Sequence, residues 1–173
     1  MLRRYTTQAG RTRMVRIQAS VRVNTEKGRK RQPKMTPTPE AVQKVNLRNA
    51  IWTLCVLLNS NFQGGDLHLT LTYAKEPTKE EAKRKLKGFI RKLREHHKKR
   101  GTQLKWIAAT EYENKRIHHH VVISKTDIDV IEQIWKEGWV TPKIMDNSGN
   151  YIKLAEYLIK EIPGERFSIQ AKI

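Results

Sequence analysis

The 173 residues suit one domain plus an extension and would leave two full domains cramped. Lys and Arg number 35 against 17 Asp and Glu, a net charge of +18, which points to a polyanionic partner, either nucleic acid or an anionic membrane surface. Hydrophobic residues make up 38%, enough for one core, while the longest nearly apolar run, Ala50 to Leu58, is too short to span a bilayer.

The first residues carry charge but no apolar core, so no secretory signal is expected. The single cysteine, Cys55, allows neither an internal disulfide nor a Cys-based zinc site, and a reducing cytoplasm is the expected location. Charge is concentrated in two patches. Residues 1–36 hold eleven Lys/Arg and one acid; residues 75–105 hold thirteen and four. Two separate patches beside a near-neutral remainder favour a surface that tracks phosphates over a uniform solubilising coat.

In chain order, Val15 to Val23 alternates apolar and polar residues and predicts a strand. Residues 1–36 are read as a basic arm, β-ribbon or partly disordered, and residues 37–173 as the functional domain. Thr38 and Pro39 open a helix to about Asn61, with Val42, Val45, Ala50, Ile51, Leu54, Leu57 and Leu58 as its buried stripe. Leu67 to Tyr73 alternates as a strand. Residues 78–99 form an amphipathic helix, with Ala82, Leu86, Phe89, Ile90 and Leu93 on the apolar stripe. Leu104 to Tyr112 and Ile117 to Ser124 read as two strands joined by a short connection, hence an antiparallel hairpin. A helix over Asp127 to Glu137, an edge strand over Trp139 to Ile144 (Pro142 argues for the edge) and a helix over Asn150 to Glu161 complete the chain. From Leu67 the order β-α-β-β-α-β-α predicts an α+β fold, a ferredoxin- or RRM-like antiparallel sheet with an added C-terminal helix. Helices on one sheet face would leave the other open to a ligand. No Walker A motif occurs, so no ATPase or helicase activity is expected.

Three successive histidines interrupt the third strand of this unit. Alternation puts His118 and His120 on one face, about 6.6 Å apart along the strand, and His119 on the other. Two imidazoles at that spacing can converge on one cation. The hairpin brings Glu111 back beside them, and a carboxylate with two imidazoles suits Mg²⁺ or Mn²⁺. Glu113 and His68 are the alternatives for the third ligand. On the last helix, Lys153, Tyr157 and Lys160 share a face. A phenol is a poor nucleophile until its proton leaves or its anion is stabilised, and a lysine one turn away can supply positive charge.

LTLTY on the first strand, HHH on the third and Tyr157-Leu158-Ile159-Lys160 on the C-terminal helix occur in order, and together they resemble the three motifs of the HUH endonuclease superfamily. The chain is most similar to rolling-circle replication-associated (Rep) proteins of phages and plasmids, near the filamentous-phage gene II protein type, over roughly residues 38–162. The resemblance implies His118 and His120 as the metal-binding pair, Glu111 as the third ligand, Tyr157 as the nucleophile and Lys160 as its assisting charge. It implies Mn²⁺ or Mg²⁺ as cofactor, hairpin-flanked single-stranded origin DNA as substrate, a 5′-phosphotyrosine intermediate, and a host helicase and polymerase as partners. The origin strand would lie across the open sheet face, held by the two basic patches. His119 departs from the pattern, which usually has a bulky apolar residue between the pair. Position 153, where some relatives carry a second tyrosine, is lysine, so a single-tyrosine enzyme is implied. A conjugative relaxase or transposase would share this chemistry; a non-catalytic RRM-like nucleic-acid binder would not.

Overall fold

The computed structural model describes residues 2–19, 40–112, 116–160 and 167–172, with Lys160 and 167–172 described in their backbone. Strands β1 (Leu2–Ala9) and β2 (Thr12–Ala19) pair antiparallel as a two-stranded ribbon. Helix α1 (Glu40–Asn61) follows, then β3 (Leu67–Thr72), α2 (Lys79–Lys99), β4 (Trp106–Glu111), β5 (His118–Ile123), α3 (Ile128–Ile134), β6 (Val140–Ile144), α4 (Ile152–Lys160) and β7 (Phe167–Lys172). Strands β3 to β7 form one antiparallel sheet in the order β6-β3-β5-β4-β7. The β3-α2-β4-β5-α3-β6 unit is the α+β, ferredoxin/RRM-like arrangement expected from the pattern, with α4 appended. Strand β7 was not expected; it pairs with β4 and makes the histidine strand β5 the middle strand of five. Strand β6 lies at the edge, where Pro142 costs no pairing on its outer side.

Local sequence accounts for these elements. Strand β3 buries Leu67, Leu69 and Leu71 and leaves His68, Thr70 and Thr72 half-buried, the period of two that its alternation dictates. Helix α2 starts on a capping box: the Thr78 hydroxyl accepts from the Glu81 backbone N–H at 3.2 Å, and the Glu81 carboxylate accepts from the Thr78 N–H at 2.9 Å. Its stripe Ala82, Leu86, Phe89, Ile90 and Leu93 is buried against the sheet. Gly138 has a different role: a Cβ there would lie 2.3 Å from the Thr72 carbonyl oxygen, so only glycine lets this turn lie against the end of β3.

The two sheet faces carry separate cores. On one, Leu69, Leu71, Ala108, Val121 and Ile123 pack against α2 and α3. On the other, Ile107, Ala109 and Val122 pack with Leu54, Cys55 and Leu58 of α1 and Ala155, Leu158 and Ile159 of α4. Each fully buried large aliphatic side chain contributes roughly 1.5–3 kcal/mol. The expectation of a wholly open second face is therefore corrected: the apolar residues of β4 and β5 on that face demanded cover, and α1 and α4 supply it. At the end bearing the histidines His118 is partly exposed, His120 and Glu111 are buried, and Tyr157 is exposed. The ribbon joins this second core through Ala9 and Met14. Buried Asn59 ties the parts together, its Oδ1 accepting from the Tyr151 N–H at 2.9 Å and its Nδ2 reaching Met14 Sδ at 3.7 Å.

The expected stripe of α1 is corrected as well. Leu54 and Leu58 are buried, but Val42 and Val45 are exposed, because the core beneath α1 reaches only its C-terminal half. The strand expected at Val15 to Val23 runs instead from Thr12 to Ala19, and Ser20 to Val23 lie outside the described residues. Helix α2, which carries most of the second basic patch, packs on the face opposite His118 and His120, while part of the first patch lies outside the described residues.

Candidate metal and tyrosine site

The site is built on rows of side chains crossing the sheet. Register places Thr72, His118 and Glu111 in one row, and Thr141, Thr70, His120 and Ala109 in the next. The pleat sends all of these to the same face. His118, His120 and Glu111 each offer a ligand atom, and these atoms lie within 4.8 Å of one another. His118 Nε2 is 3.2 Å from Glu111 Oε2, and the two imidazole rings meet edge to face, 4.9 Å between centroids.

Each imidazole is oriented from behind. His118 Nδ1–H donates to the Arg116 carbonyl at 2.9 Å, so in the neutral ring the lone pair sits on Nε2, the atom turned toward Glu111. His120 Nδ1 bonds the Thr70 hydroxyl at 3.3 Å. Supporting bonds of this kind fix ring orientation in metal centres. Glu76 extends the support: one carboxylate oxygen accepts from the Ile117 N–H at 2.6 Å and the other from Arg116 Nε at 3.1 Å. The backbone bond, then Arg116, hold the Glu76 carboxyl below the usual range. Two imidazoles and a carboxylate, converging and braced, are a donor set that fits a divalent cation.

His119 points into the opposite core and is fully buried. Its Nε2 shares a 2.6 Å hydrogen bond with the Tyr73 hydroxyl and its Nδ1 a 2.7 Å bond with Thr110 Oγ1. Burial, helped by the neighbouring His118 and His120, pushes its pKa down to about 3. His119 thus fills the place of an apolar residue, with both nitrogens satisfied. Tyr73, the last residue of the LTLTY motif, supports the histidine strand from below.

Tyr157 comes to the site from α4. Its ring lies 5.1 Å from that of His120 and 6.0 Å from that of His68, edge-on to both. It is 43% exposed, so its hydroxyl can meet a large substrate. Ala155, Leu158 and Ile159 seat the helix, and Tyr157 and Lys153 stay on its accessible side. Lys160 is the last residue of α4, and its side chain lies outside the described residues, as does all of Glu113. Tyr151, the other tyrosine of this segment, is buried and donates its hydroxyl to the Asp146 carbonyl at 2.9 Å. Burial raises its pKa, with Asp146 and Asp66 adding to the effect.

Beside the tyrosine a cleft of about 640 Å³ opens between β3, β6 and α4, with Lys143, Lys153 and Tyr157 among its lining. His68 lines it too. It stands next to the metal-ligand set, its ring 5.5 Å from that of His120, and burial lowers its pKa to about 4, with Lys143 acting in the same direction. Lys153 shares the face of Tyr157 as its spacing predicted, whereas Thr70, Glu76 and Lys143 were not singled out for these positions from sequence. Cross-strand pairing explains why: Lys143 lies opposite His68 only through the β3–β6 register.

The model of one protein family, the replication-associated proteins of the ORF2 and gene II protein type, matches residues 66–162, more than half of the chain and the whole span from β3 to the tyrosine helix. The chain belongs to this replication-associated family. No curated protein and no solved structure matches it. Membership of the ORF2/gene II protein family makes this a replication-associated protein whose partner class is DNA, and the His–Glu cluster could bind a metal ion. Among the described residues no helix is long and apolar enough to cross a membrane.

Proposed function

We propose that the protein nicks and rejoins single-stranded DNA at a specific site through a 5′-phosphotyrosine intermediate, initiating rolling-circle replication. The observation that carries this reading is the meeting of an accessible Tyr157 ring, 5.1 Å from His120, with a set of three ligand atoms within 4.8 Å of one another. His118, His120 and Glu111 would hold Mn²⁺ or Mg²⁺. Such an ion supplies Lewis-acid stabilisation of charge on a phosphate oxygen. The chain's own residues do the rest. The Tyr157 hydroxyl gives up its proton and forms a bond to phosphorus, and the bond to the 3′ oxygen breaks. Lys160 supplies positive charge on the same helix; Lys153 and Lys143 offer cations along the cleft. The 3′-hydroxyl released can prime a host polymerase, with a host helicase unwinding ahead of it. The phosphotyrosine bond keeps the energy of the phosphodiester, so a returning 3′-hydroxyl can reseal the strand without ATP. In this reading residues 37–173 are the endonuclease domain and residues 1–36 an arm.

The test is incubation with a labelled pool of hairpin-flanked single-stranded oligonucleotides and Mn²⁺, followed by a denaturing gel. A shifted protein–DNA band that disappears with a chelator is expected. Binding without any such band, on a randomised pool as well, would leave a non-catalytic binder in its place.

A further inference from the structure

Helix α2 is the most strongly basic element of the described structure, and it lies on the wrong side of the sheet to serve the tyrosine. From Lys79 to Arg100 the chain has eleven Lys/Arg and three acids. Its buried stripe packs on the face formed by Leu69, Val121 and Ile123, whereas His118, His120 and Glu111 point the other way. With a helix diameter of about 10 Å, the outer surface of α2 is further still from the scissile position. Few of these cations are neutralised. Lys85 pairs with Glu137, Arg91 with Glu95, and Arg100 with Asp127. Arg84, Lys87, Lys92, Arg94, Lys98 and Lys99 are exposed and form no ion pair among the described residues.

Gly88 stands in the middle of this surface. Glycine inside a helix costs roughly 1 kcal/mol relative to alanine. Nothing internal requires it here: a Cβ at Gly88 would meet no atom within 4 Å. Arg84 and Lys92 are one turn away on either side and Lys87 is adjacent, so the glycine leaves a bare strip of backbone amid the cations. Bare backbone beside positive charge suits the close approach of something bulky and anionic. The middle of α2 carries no exposed aromatic side chain: Phe89 is buried, and the His96 and His97 rings lie in its last turn, His97 buried and His96 half-buried. Single-strand binding relies on such stacking platforms. A row of cations on a helix about 30 Å long instead suits a stiff double helix, which presents about one phosphate charge per 1.7 Å of its axis.

We infer that the outer face of α2, centred on Gly88, is a second DNA-binding surface that grips the phosphate backbone of duplex DNA while the opposite side of the sheet handles the single strand. This deepens the nicking reading by giving the enzyme a hold on the duplex that flanks its target. The experiment compares two activities in the intact chain. Affinity for a mixed-sequence 20-base-pair duplex is measured across a salt series, and cleavage is measured on a short single strand without flanking duplex. The triple variant Lys87→Gln/Arg94→Gln/Lys98→Gln should bind duplex at least tenfold more weakly, with a salt slope smaller by about one per contact removed. It should cleave the short strand at the wild-type rate. Gly88→Leu should weaken duplex binding while raising the thermal midpoint, a combination that unfolding cannot produce. Unchanged duplex affinity in both variants would overturn the inference, as would an equal loss of duplex binding and short-strand cleavage. If no strand is ever cleaved yet the variants lose duplex binding, the nicking reading fails and the second surface stands.

Discussion

His118 Nε2 and Glu111 Oε2 face each other at 3.2 Å across directly paired positions of β5 and β4. With Nδ1 of His118 already donating to the Arg116 carbonyl, that short distance sets two acceptors together unless a proton or a cation joins them. Glu111→Gln should therefore weaken Mn²⁺ binding at least tenfold. Thr70→Val, which removes the partner of His120 Nδ1, should cost about 10–100-fold. Calorimetric titration measures both. Equal affinity in wild type and Glu111→Gln would remove Glu111 from the ligand set.

The two tyrosines of the last segment should separate cleanly. Tyr157→Phe should abolish the covalent adduct and leave DNA binding within about twofold, since the Tyr157 ring is exposed and packs in neither core. Tyr151→Phe should keep the adduct and lose about 1 kcal/mol of stability with its bond to the Asp146 carbonyl. Denaturing gels read the first effect and urea unfolding the second. An adduct surviving Tyr157→Phe but not Tyr151→Phe would reverse the assignment.

Beneath the site, Tyr73→Phe removes the hydroxyl bonded to His119 Nε2 and leaves a fully buried ring nitrogen short of a partner. A loss of about 1–3 kcal/mol is expected in urea unfolding. Tyr73 sits on the core side, so DNA affinity at saturating stability should change little.

Acid should weaken the fold through buried histidines, and His97, remote from the ligand set, gives the cleanest test. It is buried between Thr102 and Thr126, with ring nitrogens 2.9 and 3.0 Å from their hydroxyls. Burial first, then His96 and Arg100, lower its pKa from 6.5. Above the unfolded value both states are neutral and no penalty arises. As pH falls below 6.5 the unfolded chain takes a proton that the folded one resists, so stability declines toward the lowered folded value. His97→Gln should make the difference in urea midpoint between about pH 8 and about pH 5 smaller, leaving the part due to His68 and His119. An identical decline in both proteins would place the effect elsewhere.

Strands and helices whose burial is decided by neighbours in sequence were legible: β3 from its alternation, α2 from its apolar stripe, and the grouping of His118, His120 and Glu111 on one face from the period of a strand. What escaped depends on distant partners. The N-terminal half of α1 carries valines at helical spacing, yet among the described residues nothing covers Val42 and Val45. Strand β7 is a short segment behind Pro163-Gly164, and only pairing with β4 makes it a strand. The polar bonds of His119, to residues 46 and 9 positions away, explain a histidine that local pattern made an anomaly.

The family match and the folding unit have different borders. Residues 66–162 carry the inherited motifs, yet Leu54, Cys55, Leu58 and Phe62 of the second core precede them, with Ala9 and Met14 further upstream, and β7 follows them. A fragment trimmed to the matched span would keep α4 but strip the cover that Leu54, Cys55, Leu58 and Phe62 give this core, and would turn the Glu111 strand into an unprotected edge. Heredity is thus concentrated in a segment that holds only part of the second core. Transplanting the chemistry to another scaffold would require carrying over α1 and the closing strand as well as the segment that bears the ligands.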